Sequence, residues 1–339
     1  MGESSTDLSM TSVESKAFHI NHKLPTLTRT LYEHAQEEST PQERRRGGVV
    51  HGLRRARRWC LRGFLRYRAQ FREYLAEFFG TFLLIFLGLG SAVMGSVQVE
   101  MNPSSFDAQC LLWGLAVMLA VYVSGGVSGG HLNPVVTLTF ACWRGFPWRK
   151  VLGYWFSQIF GAFCASGVIY SLHAVERSKR AVSEAILKSD SLTPALFVTL
   201  PDSSMANFSS FYGEALAAGC LMCLIFACID RYNVPPTHCS PIVIGLGISL
   251  ILGSLGSSGG LALNPAGDLG SRALLALVDL REGVVPPVAQ YVGAGLIGPM
   301  VGGVVGGALY DLFIVTGPDA IFLEEDEIES MEKGEANSK

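Results

Sequence analysis

Charge is what the middle of this chain lacks. Only 16% of its 339 residues are Asp, Glu, Lys or Arg, against 49% hydrophobic, whereas soluble domains carry about 25% charged residues. The charges present are segregated. Residues 1–73 hold 14 of the 26 Lys and Arg, and residues 316–339 hold eight Asp and Glu. A long, apolar, glycine-rich stretch between two polar tails is the pattern of a membrane domain. The first 70 residues contain no apolar core, so no cleavable signal peptide is expected. Paired metal-ligand motifs are missing too. Cys220-x-x-Cys223 has no matching Cys/His pair, and Cys110, Cys142, Cys164 and Cys228 lie in apolar runs, where cysteine behaves as a small hydrophobe. The Gly-x-Gly pairs Gly88/Gly90 and Gly245/Gly247 fall inside apolar spans, which excludes a soluble nucleotide-binding enzyme. No catalytic residue, metal, cofactor or nucleic-acid partner is called for; the lipid bilayer is the expected surrounding.

What the chain does contain is spans. A membrane-crossing helix needs about 20 mostly apolar residues. Segments 74–97, 110–127, 151–172, 211–229 and 288–310 meet that length, and 241–255 is a short sixth. Two apolar pieces remain, 133–142 and 264–277, each too short to cross. Both begin with Asn-Pro, in "SGGHLNPVVT" and "GGLALNPAGD". Asn caps free N–H groups and Pro suits the first helical position, so each piece reads as a half-helix that enters the membrane and stops midway.

The order of features repeats. An acid near the start of a span comes first, Glu77 then Glu214; a second span, an Asn-Pro half-helix and a third span follow. Two sets of three spans must face opposite ways across the bilayer, which is the inverted-repeat architecture with broken helices meeting near the midplane. The expected fold is therefore an all-α membrane protein of six transmembrane helices plus two re-entrant half-helices. It occupies residues 74–315, with repeats at about 74–172 and 211–314. Non-helical backbone survives at that depth only when packed in protein or lining a wet cavity, so the glycine-rich stretches 125–130 and 253–260 are expected to line one. The basic tail 1–73 and the link "WRGFPWRK" (143–150) should be cytoplasmic by the positive-inside rule. That puts both termini inside, including the acidic tail 316–339, and leaves loop 171–210 outside. This loop carries Arg177, Lys179, Arg180 and Lys188, which run against the rule, and also Asn207-Phe-Ser, a possible glycosylation acceptor. Eleven arginines between residues 44 and 72 would attract anionic lipid, at about 1 kcal/mol per charge; the plainer reading is a topology signal.

Two Asn-Pro boxes, two early Glu and "WGLAVMLAVYVSGGVSGGHLNPVVTL" together resemble the major intrinsic protein family, the aquaporins. The resemblance covers roughly residues 70–315. Trp113, Asp268 and Arg272 resemble the aquaglyceroporin branch, and "RGFPWRK" with the long polar tails resembles its fungal members. The resemblance implies one pore per subunit, a homotetramer in the cell membrane, and passive flow of water, glycerol and similar small neutral solutes. It assigns the boxes to Asn133, Pro134 and Val135 and to Asn264, Pro265 and Ala266. It assigns the outer filter to Trp113, Leu261, Gly267 and, by position, Gly253.

The residues themselves lead to a similar place. Two half-helix N-termini aimed at one midplane point present two positive dipole ends, each worth roughly half a charge, which repel cations. Asn133 and Asn264 cap those ends and keep spare amide N–H groups for a passing oxygen. Pore width and positive half-helix ends then exclude ions and protons without any catalysis. Glu77 and Glu214 are acids within spans, costly and functional by default; as proton carriers they would make a transporter, whereas the family resemblance makes them supports for loop backbone. His131 is either a pH gate or a partner for loop backbone. Gly298, Gly302 and Gly306 fall four apart and suit close helix packing.

The sequence also departs from the family. Gly267 stands where the second box usually has arginine, and Leu261 replaces an aromatic residue. A wider, less polar filter is expected, with ion exclusion left to the central dipoles; Arg272, five residues on, lies too far down the half-helix to substitute. Val135 replaces the usual alanine, and would either pack on the opposite half-helix or narrow the centre. The rival to a channel is a non-conducting structural protein, favoured by Gly267 and Val135.

Overall fold

A computed structural model describes residues 41–98, 106–180, 197–198, 207–233, 237–256, 261–278 and 292–315. The acidic tail 316–339, the first 40 residues, residues 257–260, Lys188 and the side chains of Arg177, Lys179, Arg180, Asn207 and of residues 41–64, which include eight of the 11 arginines, lie outside what is described. Every described element is helical. They run α1 (Pro41–Gln98), α2 (Phe106–Ser128), α3 (Pro134–Trp143), α4 (Trp148–Arg180), α5 (Asn207–Ile229), a 3-10 turn (Thr237–Cys239), α6 (Ser240–Leu255), α7 (Pro265–Val278), a π turn (Val292–Ile297) and α8 (Gly298–Phe313). The chain divides into two compact units, residues 1–70 and 71–339, and helical dihedrals lapse within α1 at Phe71 (φ −107°, ψ 15°).

Five helical stretches are long and apolar enough to cross a membrane: Leu65–Gly95, Phe106–Ser128, Trp148–Leu172, Phe208–Ile229 and Ala294–Phe313. The short sixth span is α6, and the two half-helices are α3 and α7. The packing has an internal twofold logic. Half-helix α3 packs against α8, the last helix of the second repeat, and half-helix α7 packs against α4, the last of the first repeat; α2 and α6 pack on each other. Each half-helix is therefore inserted into the other repeat, as an inverted duplication requires.

Two of the glycine-rich stretches differ from expectation. Gly125 and Gly126 belong to α2 and Gly253 belongs to α6, rather than to loops. In lipid the backbone gains by staying hydrogen-bonded within a helix until it must turn. The turn out of α2 comes at Gly129 (φ 90°) and Gly130 (φ 64°), a left-handed conformation open to glycine.

Small residues set the helix crossings. A Cβ at Gly306 would collide with the Gly219 backbone, and one at Gly302 with the Ala215 backbone, so α8 and α5 approach main chain to main chain. The same holds at Gly114 and Gly245, where α2 and α6 cross. Ion pairs fasten the ends: Arg144 holds Asp311 of α8 through two bonds (2.8 and 2.5 Å) and lies 3.8 Å over the Phe226 ring, and Lys150 holds Glu73 at 2.6 Å.

Gly306→Ala, which forces a Cβ into backbone, is expected to destabilise the protein by about 1–3 kcal/mol. Gly213→Ala, at a helical site with nothing within 4 Å, should be neutral or slightly stabilising. Thermal unfolding of the two variants in detergent checks the contrast; equal melting temperatures would remove the close-approach reading.

Candidate functional site

The two Asn-Pro sequences begin their helices in the same way. Asn133 has extended dihedrals (φ −153°, ψ 127°) and its side-chain oxygen accepts from the Val135 N–H at 2.9 Å, with Pro134 at the first helical position. Asn264 accepts from the Ala266 N–H at 3.1 Å. Pro134, Pro265 and Ala266 are buried within these first turns. Each box is preceded by a leucine in the left-handed region, Leu132 at φ 53° and Leu263 at φ 50°. A branched side chain is seldom held there without strong support from its surroundings.

Four hydrogen bonds give that support. The Leu132 N–H donates to Glu77 Oε2 at 2.7 Å, and the Leu263 N–H to Glu214 Oε2 at 2.9 Å. On the other side of the same residues the bonds cross between repeats: Asn264 Nδ2 donates to the Leu132 carbonyl at 2.8 Å, and Asn133 Nδ2 donates to the Leu263 carbonyl at 2.9 Å. The N-termini of α3 and α7 are thereby held at one locus. Each Asn amide retains one further N–H, and both asparagines border a single cavity of about 810 Å3.

The carboxylates differ in how fully they are engaged. Glu77 also accepts from Ser128 Oγ (2.6 Å), the His131 N–H (3.0 Å) and Gln158 Nε2 (2.7 Å). Gln158 reaches Thr137 Oγ1 at 3.0 Å, and that hydroxyl lies 3.2 Å from His131 Nδ1. Glu214 accepts from the Ala262 and Leu263 N–H groups. Both acids are buried, and hydrogen bonds to ionised acceptors are the strong kind that buried carboxylates need. The His131 ring is enclosed by Phe140, Phe146 and Tyr154, with centroids 4.7, 4.9 and 5.3 Å away.

The cavity wall runs past the boxes in both directions. Trp113, Leu261, Gly267, Asp268 and His131 line it. The Trp113 ring lies over Gly88, where any Cβ would strike it. The nearest atom to a Cβ built on Gly267 is Ile85 Cδ1, at 2.9 Å, so the wall at this position is leucine- and isoleucine-like and carries no cation. Arg272 is buried one turn beyond Asp268 and ion-paired to it, off the wall. Neighbouring Ser271 shares a hydrogen bond with Ser166 of α4 at 2.8 Å.

Two expectations are corrected. Gly253 is not among the lining residues; it is an exposed position of α6, whose Ile248 and Leu252 face the cavity instead. Val135 does not line the cavity and so does not narrow the centre. It is fully buried in an apolar cluster with Ala218, Leu221 and Met222, and its methyl fills the space beside Gly303 of α8. Val136, one residue on, is the one at the wall.

Sequence reasoning also missed several residues. The left-handed leucines were marked only by the repeated Leu-Asn-Pro. Gln158, Ser128 and Thr137 gave no signal of their own. Phe197 and Val198, from the segment between the repeats, line the cavity at one end, and Tyr122 and His238 line it at the other, with the Tyr122 hydroxyl donating to the His238 carbonyl at 3.4 Å.

Known proteins resemble this chain in sequence and in fold. The family model described as "Major intrinsic protein" matches residues 65–310. An aquaporin of Laccaria bicolor is 38% identical over 268 residues, covering 76% of this chain and 85% of the relative. Aquaglyceroporin-2 of Rhizophagus irregularis is 37% identical, covering 75% of this chain and 81% of its own length. Among solved structures, the aquaglyceroporin from Plasmodium falciparum superposes with a TM-score of 0.60 at 30% identity, over 72% of this chain and 96% of that one. A chain with an inverted duplication of membrane helices, two crossed asparagine-capped half-helices and these relatives belongs to the major intrinsic protein family, a family of channels rather than enzymes.

Proposed function

We propose that this protein is a passive channel for water, glycerol and other small neutral solutes, with an outer filter that lacks the family's arginine. The observation that carries the reading is the crossed pair of asparagines at the wall of one cavity, with two helix N-termini behind them. A solute oxygen arriving there meets an amide N–H from Asn133 and another from Asn264, while the positive helix ends repel cations. No bond is made or broken and no energy source is needed.

The filter residues are Trp113, Leu261 and Gly267. The indole supplies a flat apolar face for the carbon side of a polyol, and the missing side chain at 267 leaves width without a fixed charge. Selection then rests on size and on how little hydration a solute must shed, with ion exclusion left to the centre. Glu77 and Glu214 act as supports, since their oxygens are committed to loop N–H groups. His131, whose Nδ1 faces Thr137 within an aromatic cage, belongs to the same support. The setting we infer is a homotetramer in the cell membrane, with both termini cytoplasmic and Asn207 on the outer side.

Vesicles containing the protein are expected to swell faster than empty ones in water, glycerol and larger polyols, with flux linear in solute and indifferent to a pH gradient. Saturable, proton-driven uptake would instead favour a transporter, and swelling equal to that of empty vesicles a structural role. Gly267→Arg, whose Cβ needs only the end of Ile85 to shift, should lower larger-polyol flux roughly tenfold while water falls less; unchanged selection and ion leak would refute the filter assignment. Glu214→Gln replaces a charged acceptor of two loop N–H groups, so a loss of about 1.5–3 kcal/mol of stability is expected. Flux should fall at every pH alike, whereas a proton carrier would lose only its pH response.

A further inference from the structure

The cavity wall includes a residue from outside both repeats. Phe197 is 5% exposed and lines the cavity, although the segment that carries it lies between the two duplicated halves. Its ring meets Tyr170 of α4 edge to face, centroids 6.1 Å apart at 65°. It belongs to one apolar cluster with Leu89, Val93 and Ile169, against which Trp113 also packs. These residues come from the end of α1 and the end of α4 away from Glu77 and Gln158, so Phe197 stands at the Trp113 end of the cavity. Ile85 ties this region to the altered filter, because it is part of the same cluster and its Cδ1 is the atom nearest to the empty side-chain position of Gly267.

We infer that Phe197 is a specificity-determining residue of the channel, an aromatic wall brought in from the connecting segment at the end where Gly267 leaves the filter open. The inference rests on the channel reading above. An arginine narrows a passage and offers donors; a phenyl ring narrows it and offers none. With Trp113 it gives the passage two aromatic faces and no cation, an environment suited to the C–H surface of an uncharged solute and unfavourable to a strongly hydrated one. Phe197 thus sets an upper size limit that the box residues alone would not impose. Its burial also has a stabilising side, so the test must read selection separately from folding.

The test uses the full chain in vesicles, with swelling measured in glycerol and in xylitol. Phe197→Ala is expected to raise the xylitol-to-glycerol ratio roughly tenfold, Phe197→Trp to lower it, and Phe197→Leu to fall between. None of the described cysteines lines the cavity. A small methanethiosulfonate reagent present on both sides should therefore block Phe197→Cys and spare the parent protein. An unchanged ratio in the alanine and tryptophan variants, or a cysteine variant that reacts without loss of flux, overturns the assignment. If Phe197→Ala does not fold, the leucine, tryptophan and cysteine variants decide by the same ratio and block. Parent vesicles that swell no faster than empty ones would defeat the channel reading itself; Phe197→Ala vesicles that then conduct would still support this inference, and silent ones would overturn it as well.

Discussion

The structure depends on two leucine residues, each held from both sides. Leu132 and Leu263 sit in left-handed backbone, each giving its N–H to a carboxylate of its own repeat and its carbonyl to an asparagine of the other. The bonds outweigh the strain because the alternative is worse: an unpaired N–H or C=O at membrane depth costs several kcal/mol. The same bonds fix where the half-helices start, and hence where their dipoles add. Without the asparagine crossings, α3 and α7 would be two short apolar helices with no reason to meet.

The buried acids follow from this constraint. A carboxylate inside a span is expensive, and here the expense is offset by the loop N–H groups it satisfies. The two repeats solve the problem unequally. Glu77 is surrounded by a side-chain network of Ser128, Gln158 and Thr137, whereas Glu214 serves two loop N–H groups. The second half-helix carries its own compensation, the buried Asp268–Arg272 pair one turn apart. An acid in the first turn complements the positive helix end, and its arginine keeps that acid from standing alone as a charge beside the cavity. The duplication has kept the geometry while letting the electrostatics of the halves diverge.

Much of this was legible in the sequence, for physical reasons that differ by residue. The spans follow from hydropathy, and the half-helices follow because Asn-Pro is a start signal whose meaning does not depend on distant contacts. Glu77 and Glu214 stood out because acids are rare in lipid. Val135 was misread because its destination is decided by Gly303, 168 residues later in α8. Gly253 was misread as loop because glycine is ambiguous in membrane segments, where helices tolerate it. Phe197 was invisible for a third reason: the apolar run Ala195–Val198 is too short to show a periodicity or to span a membrane, and only the assembled wall reveals where its ring goes.

The crossing of the asparagine bonds has a consequence for how the chain is made. Each repeat contains the donor that the other's loop requires, so neither can finish its own re-entrant turn. While the ribosome is still producing α5 and α6, the first loop has its glutamate but lacks Asn264, and the Leu132 carbonyl has no partner from the second half. Biogenesis therefore has a built-in completion step: the last half-helix to emerge locks the first one to be inserted, and any product truncated before residue 264 retains an unfinished turn that cellular quality control can recognise.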